Sequence, residues 1–139
     1  MKDCIFCKII AGEIPSRKIY EDDKVYAFMD IGPINFGHTL VIPKEHHTGS
    51  STIPEETAGR MFHVGSRIGI ALKRKFEYEA FNLHLADGTA AGQVVMHAHL
   101  HVVPRFAEDD FHWNWRQLVY PEGKMAETAQ KIIAKLKIN

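Results

Sequence analysis

The sequence predicts an α+β domain: a mostly antiparallel sheet carrying one major helix, with a second helix near the C-terminus. Three observations lead there. Short β-rich runs follow one another across turns instead of alternating regularly with helices. One long helical periodicity follows Thr52, and a shorter one closes the chain. The 139 residues suffice for one hydrophobic core, and no linker, repeat or low-complexity segment divides them.

Residues Ile5 to Ala11 read as one or two helical turns stopped by Gly12, and Ile14-Pro15-Ser16 breaks the chain. Val25 to Met29 is rich in β-formers and predicts the first strand. The loop Gly32 to Gly37 leads into a second strand, His38 to Ile42, ended by Pro43. Thr52 and Glu55 have capping-box spacing, and Pro54 suits a first helical turn. Ala58, Met61, Phe62, Gly65, Ile68 and Leu72 then form an apolar face, with Arg60, Arg67 and Lys73 to Lys75 turned to water. Asn82 to Ala86 predicts a third strand, Asp87-Gly88 a turn, and Gln93 to Val103 a long fourth strand stopped by Pro104. The last helix runs from about Met125 to Leu136. Between Glu108 and Tyr120 the sequence sets no element, and Trp113 and Trp115 are expected to pack in the core rather than on a dimer surface.

Lys and Arg number 17, as do Asp and Glu, so no basic excess points to nucleic acid. No apolar run approaches the roughly 18 residues of a membrane span. The N-terminus lacks the long apolar stretch of a signal peptide, and two cysteines three residues apart do not make a disulfide framework. A cytoplasmic protein is expected.

The informative stretch is Met96-His97-Ala98-His99-Leu100-His101-Val102-Val103. On a strand His97, His99 and His101 share one face, roughly 6–7 Å apart, while Ala98, Leu100 and Val102 take the other. Three neutral imidazoles each want a donor and an acceptor, so the row gains little as packing and suits catalysis or metal binding. Before it, Gly88-Thr89-Ala90-Ala91-Gly92 supplies small residues whose backbone N–H groups suit a phosphate.

This stretch resembles the His-x-His-x-His motif of the histidine triad (HIT) family, with x apolar. Gly92-Gln93, Pro104-Arg105, Asp30-Ile31, Gly37-His38 and Pro43-Lys44-Glu45-His46 resemble that family too. The resemblance covers roughly residues 4–106, with 107–139 as a C-terminal extension of a single domain, and it implies a HIT-like homodimer. It also implies a reaction at the α-phosphorus of a purine nucleotide conjugate, such as a dinucleoside polyphosphate or nucleoside phosphoramidate. His99 would be the nucleophile, forming a nucleotidyl-histidine that water hydrolyses. A backbone carbonyl would fix its tautomer, and His101 would contact the phosphate. Gln93, with Gly92 and Val94, would lie at the phosphates. Asp30 would accept from the ribose hydroxyls, and Ile31 and Phe28 would sandwich the base. Asn82 completes the expected nucleotide-binding set. Outside the resemblance, Asp30 reads equally well as a turn cap. His38 is expected to support the site by hydrogen bonding, while His63, His84 and His112 read as ordinary residues.

The chain departs from the family at two places. Ala86 and Val94 stand where an amide and a hydroxyl are usual. A nucleotide-binding protein with negligible turnover is therefore the second reading. A metallohydrolase using His97, His99 and His101 together is the third.

Cys4-Ile5-Phe6-Cys7 reads as buried structural cysteines, a redox pair, or half of a tetrahedral zinc site. Resemblance to the zinc-bearing branch of the family supplies His46 and His97 as the other ligands, with His47 the alternative to His46. Such a zinc would be structural, one per chain.

Overall fold

The computed structural model describes residues 2–138. Five strands form one antiparallel sheet in the order β1-β2-β3-β5-β4: β1 (Lys18–Glu21), β2 (Val25–Met29), β3 (Thr39–Pro43), β4 (Ala80–His84) and β5 (Leu100–Arg105). Three helices accompany it: α1 (Ile5–Ile10), α2 (Glu55–Phe76) and α3 (Lys124–Lys135). The α+β architecture with one major helix and a C-terminal helix is as the sequence indicates.

The sheet is covered on both faces. Val25, Ala27, Val41, Leu100 and Val102 meet Met61, Val64 and Leu72 of α2 on one side. Tyr26, Phe28, Leu40 and Ile42 meet Phe6 and Ile9 of α1 on the other. This double coverage explains why β2 and β3 read as nearly continuous apolar runs. Helix α2 lies close because its sheet-facing side carries Gly69: a Cβ there would stand 2.5 Å from the Phe81 ring. Glu55 and Glu56 in its first turn, and Lys73, Arg74 and Lys75 in its last, oppose the helix dipole.

Several local expectations need correction. β1 carries no sequence prediction; it is a short, largely exposed edge strand. The capping box does not form. Pro54 occupies the N-cap with no side-chain bond, and Thr52 lies in a preceding 3₁₀ turn with its hydroxyl on His47. Phe62 is exposed, displaced from the buried face by Val64 and Gly69. β4 begins and ends two residues early.

The largest correction concerns β5, which starts at Leu100 rather than Gln93. Its partners run out there: Leu100 is the last residue paired with β3, and His101 lies opposite His84, the last residue of β4. Pro104 is tolerated within the strand because pairing to β3 stops at Val102, leaving no call for its missing N–H on that side.

Trp113 and Trp115 are not in the core. They are 42% and 77% exposed, and the described residues of α3 are all unburied, with Ile132, Ile133 and Leu136 facing out. The segment after β5 is anchored by Arg105, whose guanidinium donates to both Asp109 carboxylate oxygens at 2.6 and 2.8 Å and to the Phe111 carbonyl at 2.7 Å. No helix among the described residues is long and apolar enough to cross a membrane.

Candidate functional site

A cleft of about 370 Å³ opens on the α1 side of the sheet, within the usual range for small ligands. Phe6, Ile9, Phe28 and Leu40 give it apolar walls, and Asp30, His99 and His101 supply its titratable groups. Ile31, Gly92 and Val94 stand at its edge, Ile31 and Val94 almost wholly exposed.

His97 and His99 sit in the loop before β5, so strand alternation alone does not align the three histidines. His99 is nearly buried, with its ring edge-on to Phe6 at 5.3 Å. Its Nδ1 lies 2.8 Å from the His97 carbonyl. A carbonyl only accepts, so Nδ1 carries a proton, and in the neutral tautomer the lone pair falls on Nε2. The carbonyl belongs to the residue two back in the chain, a placement that only the folded loop reveals.

A second chain of tautomers fixes His101. The Ile34 N–H donates to His38 Nδ1 at 3.1 Å, so the neutral His38 ring carries its proton on Nε2. That N–H points at His101 Nδ1, 2.9 Å away, with an Asp30 carboxylate oxygen at 3.5 Å. His101 accepts at Nδ1 and therefore has Nε2–H to donate. Burial first, and then neighbouring His84, His99 and His38, push the His101 pKa down to about 3, so the ring stays neutral. Burial also lowers His38, opposed by the Asp30 charge. This tautomer leaves no lone pair on His38 Nε2, so Asp30, His38 and His101, though close enough to surround an ion, do not form a ready cation site.

Asp30 combines both readings the sequence allows. One oxygen accepts from the Gly32 N–H at 2.8 Å, capping a turn, and the other faces His38 beside the cleft.

Two expected site residues point elsewhere. Gln93 is buried, its Oε1 accepting from the Gly88 N–H and its Nε2 donating to the Thr48 and Val95 carbonyls. Its carboxamide shapes the loop that carries the histidines, because an amide buried among backbone groups satisfies them before it reaches a ligand. Asn82 accepts from Arg105 at 2.9 Å and from the Trp113 indole N–H at 3.3 Å, on the β4 side and not in the cleft wall. His84, read as ordinary, stacks on His101 with centroids 4.4 Å apart and planes 6° from parallel. The signal for it was the pairing of β4 with β5, which sequence alone did not register.

The second cluster joins α1 to the sheet. Cys4 Sγ lies 3.4 Å from His97 Nδ1, and Cys7 Sγ lies 3.4 Å from His46 Nδ1 and 3.6 Å from His97 Nδ1. All four ligand atoms fall within 4.8 Å of one another. Zinc–sulfur and zinc–nitrogen bonds at tetrahedral angles require sulfur–nitrogen edges of about 3.6 Å. These three sulfur–nitrogen separations match those edges, so the donor set fits a Cys2His2 ion. His97 Nε2 donates to the Pro43 carbonyl at 2.8 Å, which frees Nδ1 as a ligand. Burial lowers the His97 pKa to about 4 and also lowers His46, giving the neutral rings a metal needs. His47 is engaged with Thr52 and stands outside the cluster. Since His97 turns one nitrogen to the cysteines and the other to Pro43, it does not join His99 and His101 in a three-histidine metal centre.

The HIT domain family model matches residues 11–108. An uncharacterised HIT-like protein of Borreliella burgdorferi is 50% identical over 113 residues, covering 80% of this chain and 81% of its own. Adenylylsulfatase HINT3 of Arabidopsis thaliana is 36% identical, covering 95% of this chain and 66% of its own. Among solved structures, a HIT family member from Bacillus subtilis superposes with a TM-score of 0.91 at 39% identity, over 99% of both chains. A zinc-bound histidine triad protein from Mycobacterium smegmatis gives 0.77 at 37% identity, over 96% of this chain and 99% of that one. A histidine triad nucleotide-binding protein from Candida albicans gives 0.86 at 34%, over 96% of each.

Proposed function

The chain belongs to the HIT domain family, and from that premise we propose that it cleaves purine nucleotide conjugates at the α-phosphorus, with His99 as the nucleophile. The observation that carries this reading is the His99 Nδ1 bond to the His97 carbonyl, which selects the tautomer whose lone pair lies on Nε2. Nε2 attacks phosphorus, the bond to the leaving group breaks, and a nucleotidyl-histidine forms. Water then attacks the same phosphorus, the phosphorus–nitrogen bond breaks, and nucleoside monophosphate leaves with His99 restored. His101, neutral and donating from Nε2, stabilises charge on the phosphoryl oxygens in both steps. Asp30 accepts from the ribose hydroxyls with the oxygen not committed to Gly32. Phe6, Phe28 and Ile31 hold the base. Gly92 and Val94 border the phosphates, while Gln93 acts through the loop it braces.

Cys4, Cys7, His46 and His97 would hold a structural zinc. Bound there, it supplies crosslinking of α1 to the sheet rather than chemistry, since protein ligands fill all four positions. A homodimer using the exposed aromatic and aliphatic residues of the C-terminal extension completes the proposal.

The test is intact-protein mass and product analysis after brief incubation with adenosine 5′-phosphoramidate and diadenosine polyphosphates. Wild type should release AMP, or trap an adenylyl mass, and His99→Gly should do neither. AMP release by His99→Gly at the wild-type rate would remove the central claim. Binding of AMP without release by wild type would make the protein a nucleotide binder whose Ala86 and Val94 have cost it turnover.

A further inference from the structure

His101 is gripped from two directions. In the plane of its ring, His38 Nε2–H donates to Nδ1. On its face lies His84, parallel at 4.4 Å, because the two residues are directly paired across β4 and β5 and so project to the same side. His84 is backed in turn by Trp113, edge-on at 5.2 Å and 90°. Trp113 reaches that position because the chain after β5 folds back over β4. Arg105 holds Asp109, Phe111 and Asn82, Trp113 donates its indole N–H to Asn82, and Phe111 packs on the Trp113 ring at 5.0 Å.

Packing alone does not account for a histidine at residue 84. Its Nδ1 is buried and has no hydrogen-bond partner among the described residues. Burying such a group unsatisfied carries a desolvation cost that an aliphatic residue of similar size would avoid. What an aliphatic chain lacks is a flat face. Resting on the role given to His101 above, we propose that His84, backed by Trp113 of the C-terminal extension, is a positioning residue that fixes the His101 ring and thereby aims its Nε2–H at the phosphoryl group.

The experiment compares wild type, His84→Phe, His84→Ala and Trp113→Ala in the full chain. It measures kcat and KM for adenosine 5′-phosphoramidate, AMP affinity, and the ¹⁵N and ¹H resonances of the His101 ring. His84→Phe keeps a flat face and should hold kcat within about threefold, whereas His84→Ala and Trp113→Ala should lower kcat roughly ten- to hundredfold. AMP affinity should barely change, and the His101 resonances should move in both alanine variants. Trp113 is partly exposed, so its loss leaves the core intact. Unchanged kcat in His84→Ala would overturn the proposal. So would an equal loss of AMP affinity and kcat in all three variants, His84→Phe included. If wild type releases no AMP, the hydrolase reading fails separately and the spectra decide: shifted His101 resonances sustain the positioning role, and unmoved ones overturn it.

Discussion

Phe6→Ala tests whether α1 is held to the sheet by packing as well as by its cysteines. The Phe6 ring is 6% exposed and touches Phe28, His97 and His99 with centroids 5.4, 5.8 and 5.3 Å apart, all edge-on. Truncating such a ring costs about 3–5 kcal/mol. An unfolding entropy of about 2.1 cal/mol/K per residue, over 139 residues, is about 0.29 kcal/mol/K. The melting temperature should therefore fall by about 10–17 °C. Circular dichroism melts should be run at one protein concentration with zinc saturating in both proteins, since bound metal shifts the midpoint by mass action. Ile5→Ala, on the same helix but 47% exposed, is the control and should move the midpoint far less. Because Phe6 also walls the cleft, AMP affinity should drop about two- to tenfold, the range of one aromatic contact. A melting shift below about 3 °C, equivalent to under about 1 kcal/mol, would refute the view that this ring anchors α1.

Cys7→Ser should reduce zinc to well below one ion per chain by elemental analysis and lower the melting temperature; undiminished zinc would remove the metal assignment. Acid should destabilise the fold. His101 binds its proton only near pH 3 when folded but near 6.5 when unfolded, so below about 6.5 the unfolded chain takes up a proton the native one refuses. Stability contributed this way is complete above about pH 6.5 and declines toward pH 3. The urea midpoint should thus fall between pH 7.5 and 5, less steeply in His101→Gln, and equal slopes would contradict the assignment. Gly69→Ala drives a methyl into the Phe81 ring and should cost about 1–3 kcal/mol in urea unfolding, whereas Gly59→Ala, on the open side of α2, should not.

The architecture was legible because the strongest signals were periodic. β2 was placed to the residue, and α2 was recognised from its apolar face even though its cap was misread. Boundaries of β4 and β5 were not legible, because they depend on where a partner strand ends. The zinc candidates could be named from Cys-x2-Cys spacing and family resemblance, but the choice of His46 over His47 needed the Thr52 hydroxyl and the sulfur distances. Gln93 and Asn82 show the converse. An amide in a motif announces hydrogen bonding, not the partner it chooses, and here the nearest unsatisfied groups were backbone and Arg105. His84 was invisible because its meaning lies across the sheet, seventeen residues away in sequence at His101, and Trp113 lies further still.

His97 faces two ways: its side chain turns to the cysteines, and its carbonyl holds the His99 proton. Any ion seated on that ring and any nucleotide seated on His99 are thereby thermodynamically linked. Whatever factor metal occupancy adds to nucleotide affinity, nucleotide occupancy must add to metal affinity, because the two bindings close one cycle. If an ion at Cys4, Cys7, His46 and His97 tightens nucleotide binding, nucleotide must tighten the hold on that ion by the same factor, which competition with a chelator in the presence and absence of AMP would read.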